Sequence, residues 1–252
     1  MELPSNKFKA SLRAKRPQMG MWCGLGSVLA TEIVGGAGFD FVIVDQEHTI
    51  SDVALTLSQL HALGCTQAAA AVRLPWNDPI QFKRVLDIGA TTIFIPMVET
   101  AEEAAAAVAS TRYPPQGTRG VYLGSRGRKF GRVDNYFQTA QDEICLIVQI
   151  ETRKGMEQLE SIATVEGVDG VFIGASDLSA DMGHIGNPSH PEVREAVLKA
   201  AQRLNAVSKP CGTVAFADMT YAKLISCGYT FVTVGTDIGA LTTQTDAWAR
   251  QG

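Results

Sequence analysis

Two acidic side chains, Glu151 and Asp177, each follow a short apolar run: residues 144–150 (ICLIVQI) and 170–174 (GVFIG). A continuous Val/Ile/Leu run of this kind reads as a parallel strand buried on both faces, so both carboxylates are delivered where strands run out beside a sheet. Two converging carboxylates suggest a hard divalent ion, Mg²⁺ foremost with Mn²⁺ or Co²⁺ as substitutes, whose remaining positions go to water and substrate oxygens. The plain alternative is that Glu151 pairs with Arg153 or Lys154 and Asp177 caps a helix. His48, in the run DQEH at 45–48, is the candidate acid/base, because an imidazole titrates near neutrality and Asp45 or Glu47 could orient it. A packed or capping histidine is the competing reading. Arg73 ends another apolar run and must meet a carboxylate, an oxyanion or a partner such as Glu47. With Gln149, this set suits enolate chemistry on a 2-oxo acid, in which a Lewis acid stabilises the charge released when a C–C bond breaks. No lysine falls at an expected strand end, which points away from Schiff-base chemistry.

Eight short apolar segments, each followed by a helical pattern, must position these groups. The strands are expected near 19–24, 41–44, 68–72, 92–97, 144–152, 170–174, 211–215 and 231–235. Helices are expected from about residue 30, after a cap at Ser51 or Asp52, from a cap at Asn77 or Asp78 with Pro79 in the first turn, and over 100–110, 155–162, 191–207, 219–226 and 236–250. This cadence predicts an α/β fold of the (β/α)₈ barrel type, with a doubly wound open sheet as the alternative. Polar residues cluster after the strands (Asp45, His48, Arg73, Gln149, Glu151, Asp177, Asp237), which in a barrel is the catalytic face. Residues 113–132, with several Arg, Gly and Pro, break the rhythm and read as a solvated or intersubunit loop that could alternatively bind phosphate or an anionic substrate.

Composition narrows the classes. A chain of 252 residues with 46% hydrophobic and 19% charged residues is long enough for one large barrel, taken here as a single domain over 1–252. A net charge of -4 speaks against non-specific nucleic-acid binding, and no apolar run approaches the roughly 20 residues that span a bilayer. No membrane contact is expected, and the cytoplasm is the expected compartment. The five cysteines (Cys23, Cys65, Cys145, Cys211, Cys227) have no close pair and read as free thiols.

Five motifs carry a resemblance over essentially the whole chain: DQEH at 45–48, VRLPWNDP at 72–79, RYPPQGTRGV at 112–121, VQIET at 148–152 and IGASDLSADMGHIGNPSHPEV at 173–193. The sequence resembles the class II, metal-dependent pyruvate aldolases of the 4-hydroxy-2-oxoheptanedioate and 2-dehydro-3-deoxyglucarate aldolase family. NKFKASL at 6–12, VLDIG at 85–89 and VASTRYPP at 108–115 look most like the glucarate branch. The resemblance implies a phosphoenolpyruvate/pyruvate-type barrel, with Glu151 and Asp177 on the metal and His48 as acid/base. It further implies that Arg73 steadies the enolate, Gln149 helps position pyruvate, and the backbone at Ser176 and Asp177 receives its carboxylate. Asp45 would orient His48, with Asp87 contributing nearby. A homohexamer, a trimer of dimers exchanging the helix at about 236–250, is implied as well.

The reaction implied is an aldehyde-lyase step, reversible cleavage of 2-dehydro-3-deoxy-D-glucarate to pyruvate and tartronate semialdehyde. Alternatives keep the chemistry and change the aldehyde, to succinate semialdehyde from 4-hydroxy-2-oxoheptanedioate, to lactaldehyde from 2-dehydro-3-deoxy-L-rhamnonate, or to a promiscuous range. A catalytically silent 2-oxo-acid-binding barrel is the reading from another class. Gln46, Ala175 and the run TVAF at 213–216 depart from the family's usual residues at positions bordering the pocket.

Overall fold

A computed structural model describes residues 1–251. In chain order the elements are α1 (Lys7–Arg13), β1 (Gln18–Cys23), α2 (Val28–Gly35), β2 (Phe41–Asp45), α3 (Val53–Leu63), β3 (Ala69–Arg73), α4 (Pro79–Asp87), β4 (Thr92–Ile95), α5 (Ala101–Thr111) and α6 (Tyr136–Glu143). They continue with β5 (Cys145–Ile150), α7 (Arg153–Glu157), α8 (Leu159–Ala163), β6 (Gly170–Ile173), α9 (Ala175–Asp181), α10 (Pro191–Ala206), β7 (Cys211–Val214), α11 (Tyr221–Ser226), β8 (Phe231–Thr236) and α12 (Asp237–Ala249). The eight strands are parallel and close in sequence order into a barrel, β1 pairing with β8. Every expected strand is present, with ends shifted by a residue or two.

Alternation along the strands sorts their side chains into two cores. Val42, Val44, Val72, Ile93, Ile95, Leu146, Val148, Ile150, Val171 and Val232 point outward against the helices. Trp22, Phe41, Ile43, Ala71, Phe94, Cys145, Ile147, Phe172 and Phe231 fill the barrel itself, their rings packed mostly edge to face at 5.8–6.3 Å. The same parity extends to the top of the barrel. Asp45 follows Phe41 and Ile43, Arg73 follows Ala71, and Gln149 with Glu151 follows Cys145 and Ile147, so all four belong to the inward rows.

Helix starts follow local chemistry. Ser27, Asp52, Asp78, Thr100, Thr152, Thr220 and Thr236 each accept a backbone N–H of the first turn through their side chains. The expected helix at 155–162 is instead two short ones, α7 and α8, separated at Gln158, whose φ of -94° and ψ of 11° leave the helical well. The sequence predicts neither α1 nor α6, since neither carries enough apolar residues to establish a period, and it offers α9 only as the helix that Asp177 would cap. In α1, Phe8 plugs the lower end of the barrel, its ring 4.9 Å from Phe41 and 5.4 Å from Phe231. Asn6 and Lys9 fasten the plug, through Asn6 Nδ2 to Thr92 Oγ1 at 2.9 Å and Lys9 Nζ to Asp169 at 3.2 Å.

Because Phe8 is fully buried and closes the aromatic interior, Phe8→Ala is expected to cost about 3–5 kcal/mol of folding stability. Thermal or urea denaturation reads this directly, and a change below about 1 kcal/mol would show that α1 is not part of the core.

Candidate active site

At the upper ends of the strands a cavity of about 410 Å³ is lined by Trp22, Asp45, His48, Arg73, Gln149, Glu151, Ser176 and Asp177, with Val214 and Ile238 on its apolar side. Asp45 and Arg73 are register partners on adjacent strands, and their side chains form a bidentate pair, Arg73 Nε to Oδ1 at 2.8 Å and Nη2 to Oδ2 at 2.7 Å. The guanidinium also lies over the Trp22 ring, 4.4 Å from its centroid, while the indole N–H donates to Thr233 Oγ1 at 2.8 Å. Glu47 approaches from the third side. Its Oε2 is 2.9 Å from Arg73 Nη1, close as charges but without hydrogen-bond alignment, so the oxygen keeps an unused lone pair. Burial disfavours the charge on Arg73, yet the Asp45 hydrogen bond and the charges of Asp45, Glu47 and Glu151 outweigh it and hold the pKa above its ordinary value.

Glu151 is 2% exposed. Its Oε1 accepts the Met97 N–H at 2.7 Å and its Oε2 accepts Gln149 Nε2 at 3.1 Å. Gly174 makes room for it, for a Cβ there would stand 2.3 Å from Glu151 Oε2. Arg153 and Lys154 pair elsewhere, with Asp181 and Glu99, so Glu151 has no cation of its own. Asp177 sits in the first turn of α9, whose N-terminal Gly174 provides no capping side chain, and Gly174, Ser176 and Asp177 line the cavity. Gln149 is buried, and its Oε1 has no partner.

Four carboxylates therefore share this region with one guanidinium. Burial, then the repulsion of neighbouring acids, pushes Glu151 up to about 7 against the pull of the Met97 N–H and Arg73; burial likewise raises Glu47 to about 7, with Asp45 and Asp177 adding to it and Arg73 opposing. These residues fit a hard cation: two acids line the cavity and lack a counter-ion, and buried oxygens of Gln149 and Glu47 have no partner.

Two residues expected to act on His48 have other partners within the single chain. Asp45 is committed to Arg73 and to the Glu47 N–H, and the carboxylate nearest His48 is Glu47, with Oε2 3.8 Å from Nε2. Asp87 does not join the pocket. It ends α4, which starts above β3 and runs back toward the lower face, and its carboxylate takes Arg119 Nη2 at 3.1 Å. Arg119 is itself fully buried between Tyr113 and Tyr136, so that part of the basic segment is not solvated. His48 lies at the mouth with its side chain 60% exposed. The sequence reading gave Glu47 no role beyond partnering Arg73 or His48, and missed Trp22 and Met97. Glu47 lies past the end of β2, where strand alternation no longer sets direction, and Met97 acts through its backbone at a φ of 55° and leaves no trace in its side-chain type.

Protons held by Glu47 and Glu151 up to about 7 in the folded chain leave the unfolded chain near 4.5, so their contribution to stability is complete below about 4.5 and lost as pH rises through 7. In the presence of chelator the melting temperature is expected to fall between about pH 5 and about pH 8, and Mg²⁺ or Mn²⁺ should raise it more at the upper end. A metal effect independent of pH would contradict this electrostatic picture.

Known proteins share this arrangement of strands and sequence. A Rhizobium etli protein described as a pyruvate aldolase is 51% identical over 249 residues, which is 99% of this chain and 98% of that protein. A 5-keto-4-deoxy-D-glucarate aldolase of Salmonella paratyphi A is 47% identical over 244 residues, covering 97% and 95% of the two chains. The crystal structure of an HpcH/HpaI aldolase/citrate lyase family protein from Burkholderia cenocepacia superposes with a TM-score of 0.93 at 35% identity, over 98% of this chain and 99% of that one. Matched to the family over residues 18–243, the chain belongs to the HpcH/HpaI aldolase/citrate lyases.

Proposed function

We propose that this protein is an aldehyde-lyase that reversibly cleaves 2-dehydro-3-deoxy-D-glucarate to pyruvate and tartronate semialdehyde. The observation that carries this reading is the pocket itself: a fixed guanidinium, an excess of buried carboxylates and an accessible imidazole on one rim. The 5-keto-4-deoxy-D-glucarate of the Salmonella relative's name has a keto group beside a terminal carboxylate and a methylene next to it, the same connectivity as the proposed substrate read from the other end.

Glu151 and Asp177 would hold a divalent metal, Mg²⁺ first and Mn²⁺ or Co²⁺ as substitutes, with Gln149 beside them. Once bound, such an ion supplies a Lewis acid for charge developing on a 2-oxo acid. The first-turn N–H groups at Ser176 and Asp177 receive the pyruvate carboxylate, and Gln149 Oε1 and Nε2 border its keto end. His48 takes the proton of the C4 hydroxyl; the C4–O bond becomes a carbonyl as the C3–C4 pair passes to C3, leaving the enolate of pyruvate. The imidazole then returns the proton to C3, completing the methyl group. Beyond the two N–H groups bonded to Asp45, Arg73 keeps three, and it offers those turned away from Glu47 to the oxygen at which charge appears. Since Asp45 and Trp22 already fix its plane, no reorganisation accompanies the step.

The apolar side of the cavity, Val214 and Ile238 with Trp22, favours a second reading of the same chemistry on less polar aldehydes, including lactaldehyde. We further propose the pyruvate-type barrel subclass, a cytoplasmic setting consistent with five free cysteines, and a homohexamer that exchanges α12. Ile238, Leu241 and Trp248 of α12 are exposed in the single chain, as are Leu29 and Ile33 of α2, which α12 contacts. Asp87 could reach His48 in such an assembly only from a neighbouring copy.

Pyruvate release from 2-dehydro-3-deoxyglucarate, 4-hydroxy-2-oxoheptanedioate and 2-dehydro-3-deoxyrhamnonate, each with Mg²⁺ and with excess chelator, tests the reading. Metal-dependent release favouring the first is expected, and His48→Ala should lower kcat by about 10²–10⁴-fold. Equal rates for all three substrates would retire the glucarate name, and full activity without metal would retire the metal. Trp248→Ala is expected to shift the chain toward smaller species in sedimentation velocity, whereas an unchanged distribution would exclude α12 from the contact.

A further inference from the structure

Away from the strand-end pocket the chain gathers metal-ligating side chains in one other place. His184 and His190, two of its four histidines, lie in the connection between α9 and α10, with ring centroids 3.4 Å apart and planes inclined by 16°. Glu192, in the first turn of α10, brings Oε2 to 2.9 Å from His184 Nε2. Among the described residues this is the group in which three His, Cys, Asp or Glu ligand atoms lie within 4.8 Å of one another.

The backbone beneath these side chains is held. The His184 N–H donates to Ser179 O at 2.7 Å, the His190 N–H to Asn187 O at 3.1 Å, and the Arg194 N–H to His190 O at 3.0 Å. The side chains themselves remain reachable, both histidines half-buried and Glu192 exposed. Face-to-face stacking is not what two aromatic rings prefer, and these two make no hydrogen bond to each other. A partner shared by both rings supplies what the stack lacks. Two imidazoles and a carboxylate are the donor set of Zn²⁺ and its neighbours, in contrast to the carboxylate-lined pocket above the barrel, whose donors suit Mg²⁺.

The geometry points to a second cation site, formed by His184, His190 and Glu192, that takes Zn²⁺ or a chemically similar ion such as Co²⁺ or Ni²⁺ and clips the α9–α10 connection closed. The ion replaces the proton between His184 Nε2 and Glu192 Oε2. His190 turns to bind, giving up a weak acceptance of the Glu192 N–H at 3.4 Å. The site lies outside the reacting groups, so its role is to brace the loop that Ser179 ties to the end of α9.

Equilibrium dialysis of the full chain against Zn²⁺ in excess Mg²⁺ tests the assignment, with the visible spectrum of Co²⁺ as a second readout. One Zn²⁺ per chain is expected, with affinity at least tenfold weaker in His184→Asn and in His190→Asn. Asparagine at 190 preserves a good helix cap, and retained Mg²⁺-dependent pyruvate release, or an unchanged circular dichroism spectrum, shows that each variant is folded. The Co²⁺ bands of a nitrogen-ligated site should disappear in the same variants. No uptake of Zn²⁺, uptake unaffected by either substitution, or uptake abolished by Glu151→Gln would each overturn the proposal.

Discussion

A guanidinium placed at the inner end of a barrel strand has to be answered by carboxylates, and the upper half of this structure is arranged around that requirement. Arg73 ends β3 on the inward row, and its register partner on β2 is Asp45. The bidentate pair they form joins two strands at the rim, with Trp22 beneath and Glu47 beside it. Removing one member of such a buried pair typically costs about 3–5 kcal/mol, because the other charge is left uncompensated. Stability and chemistry thus draw on the same contacts. The plane of the guanidinium is set by what keeps it soluble in the interior.

Charge balance then decides what else the pocket can do. Arg73 neutralises Asp45 and part of Glu47, and among the described residues neither Glu151 nor Asp177 has a salt-bridge partner. Burial makes that imbalance consequential at Glu151, since in water the same acid would ionise freely near its ordinary pKa. A cavity that holds Glu47 and Glu151 partly protonated near neutrality is one in which an incoming cation displaces protons, which couples binding to pH through those two residues.

The lower half of the barrel has no comparable tension. Phe8, Phe41, Phe94, Phe172 and Phe231 fill the interior, and α1 closes it from below. The strand-end cavity lies above, where the row changes from aromatic to polar. The salt link of Asp87 with Arg119 belongs to this lower side and holds the irregular segment after α5 against α4. Its burial explains why a segment rich in arginine is ordered.

What the sequence determined by itself is what local chemistry can encode. Eight apolar runs, capping residues before most helices and the period-two alternation specified the barrel cadence, and they placed Asp45, Arg73, Gln149 and Glu151 at its functional end. Only the tertiary structure decided partnership. Asp45 belongs to Arg73 because β3 pairs with β2 in one register, Glu47 joins them because the loop after β2 folds over the rim, and Asp87 stays out of its own chain's pocket because a helix antiparallel to its strand carries its last residue to the opposite face. Helices α1 and α6 were likewise invisible, stabilised by contacts distant in sequence, as Phe8 is by Phe41 and Phe231. Periodicity is a property of neighbours along the chain, whereas the identity of a counter-ion depends on which strands the closed barrel brings side by side.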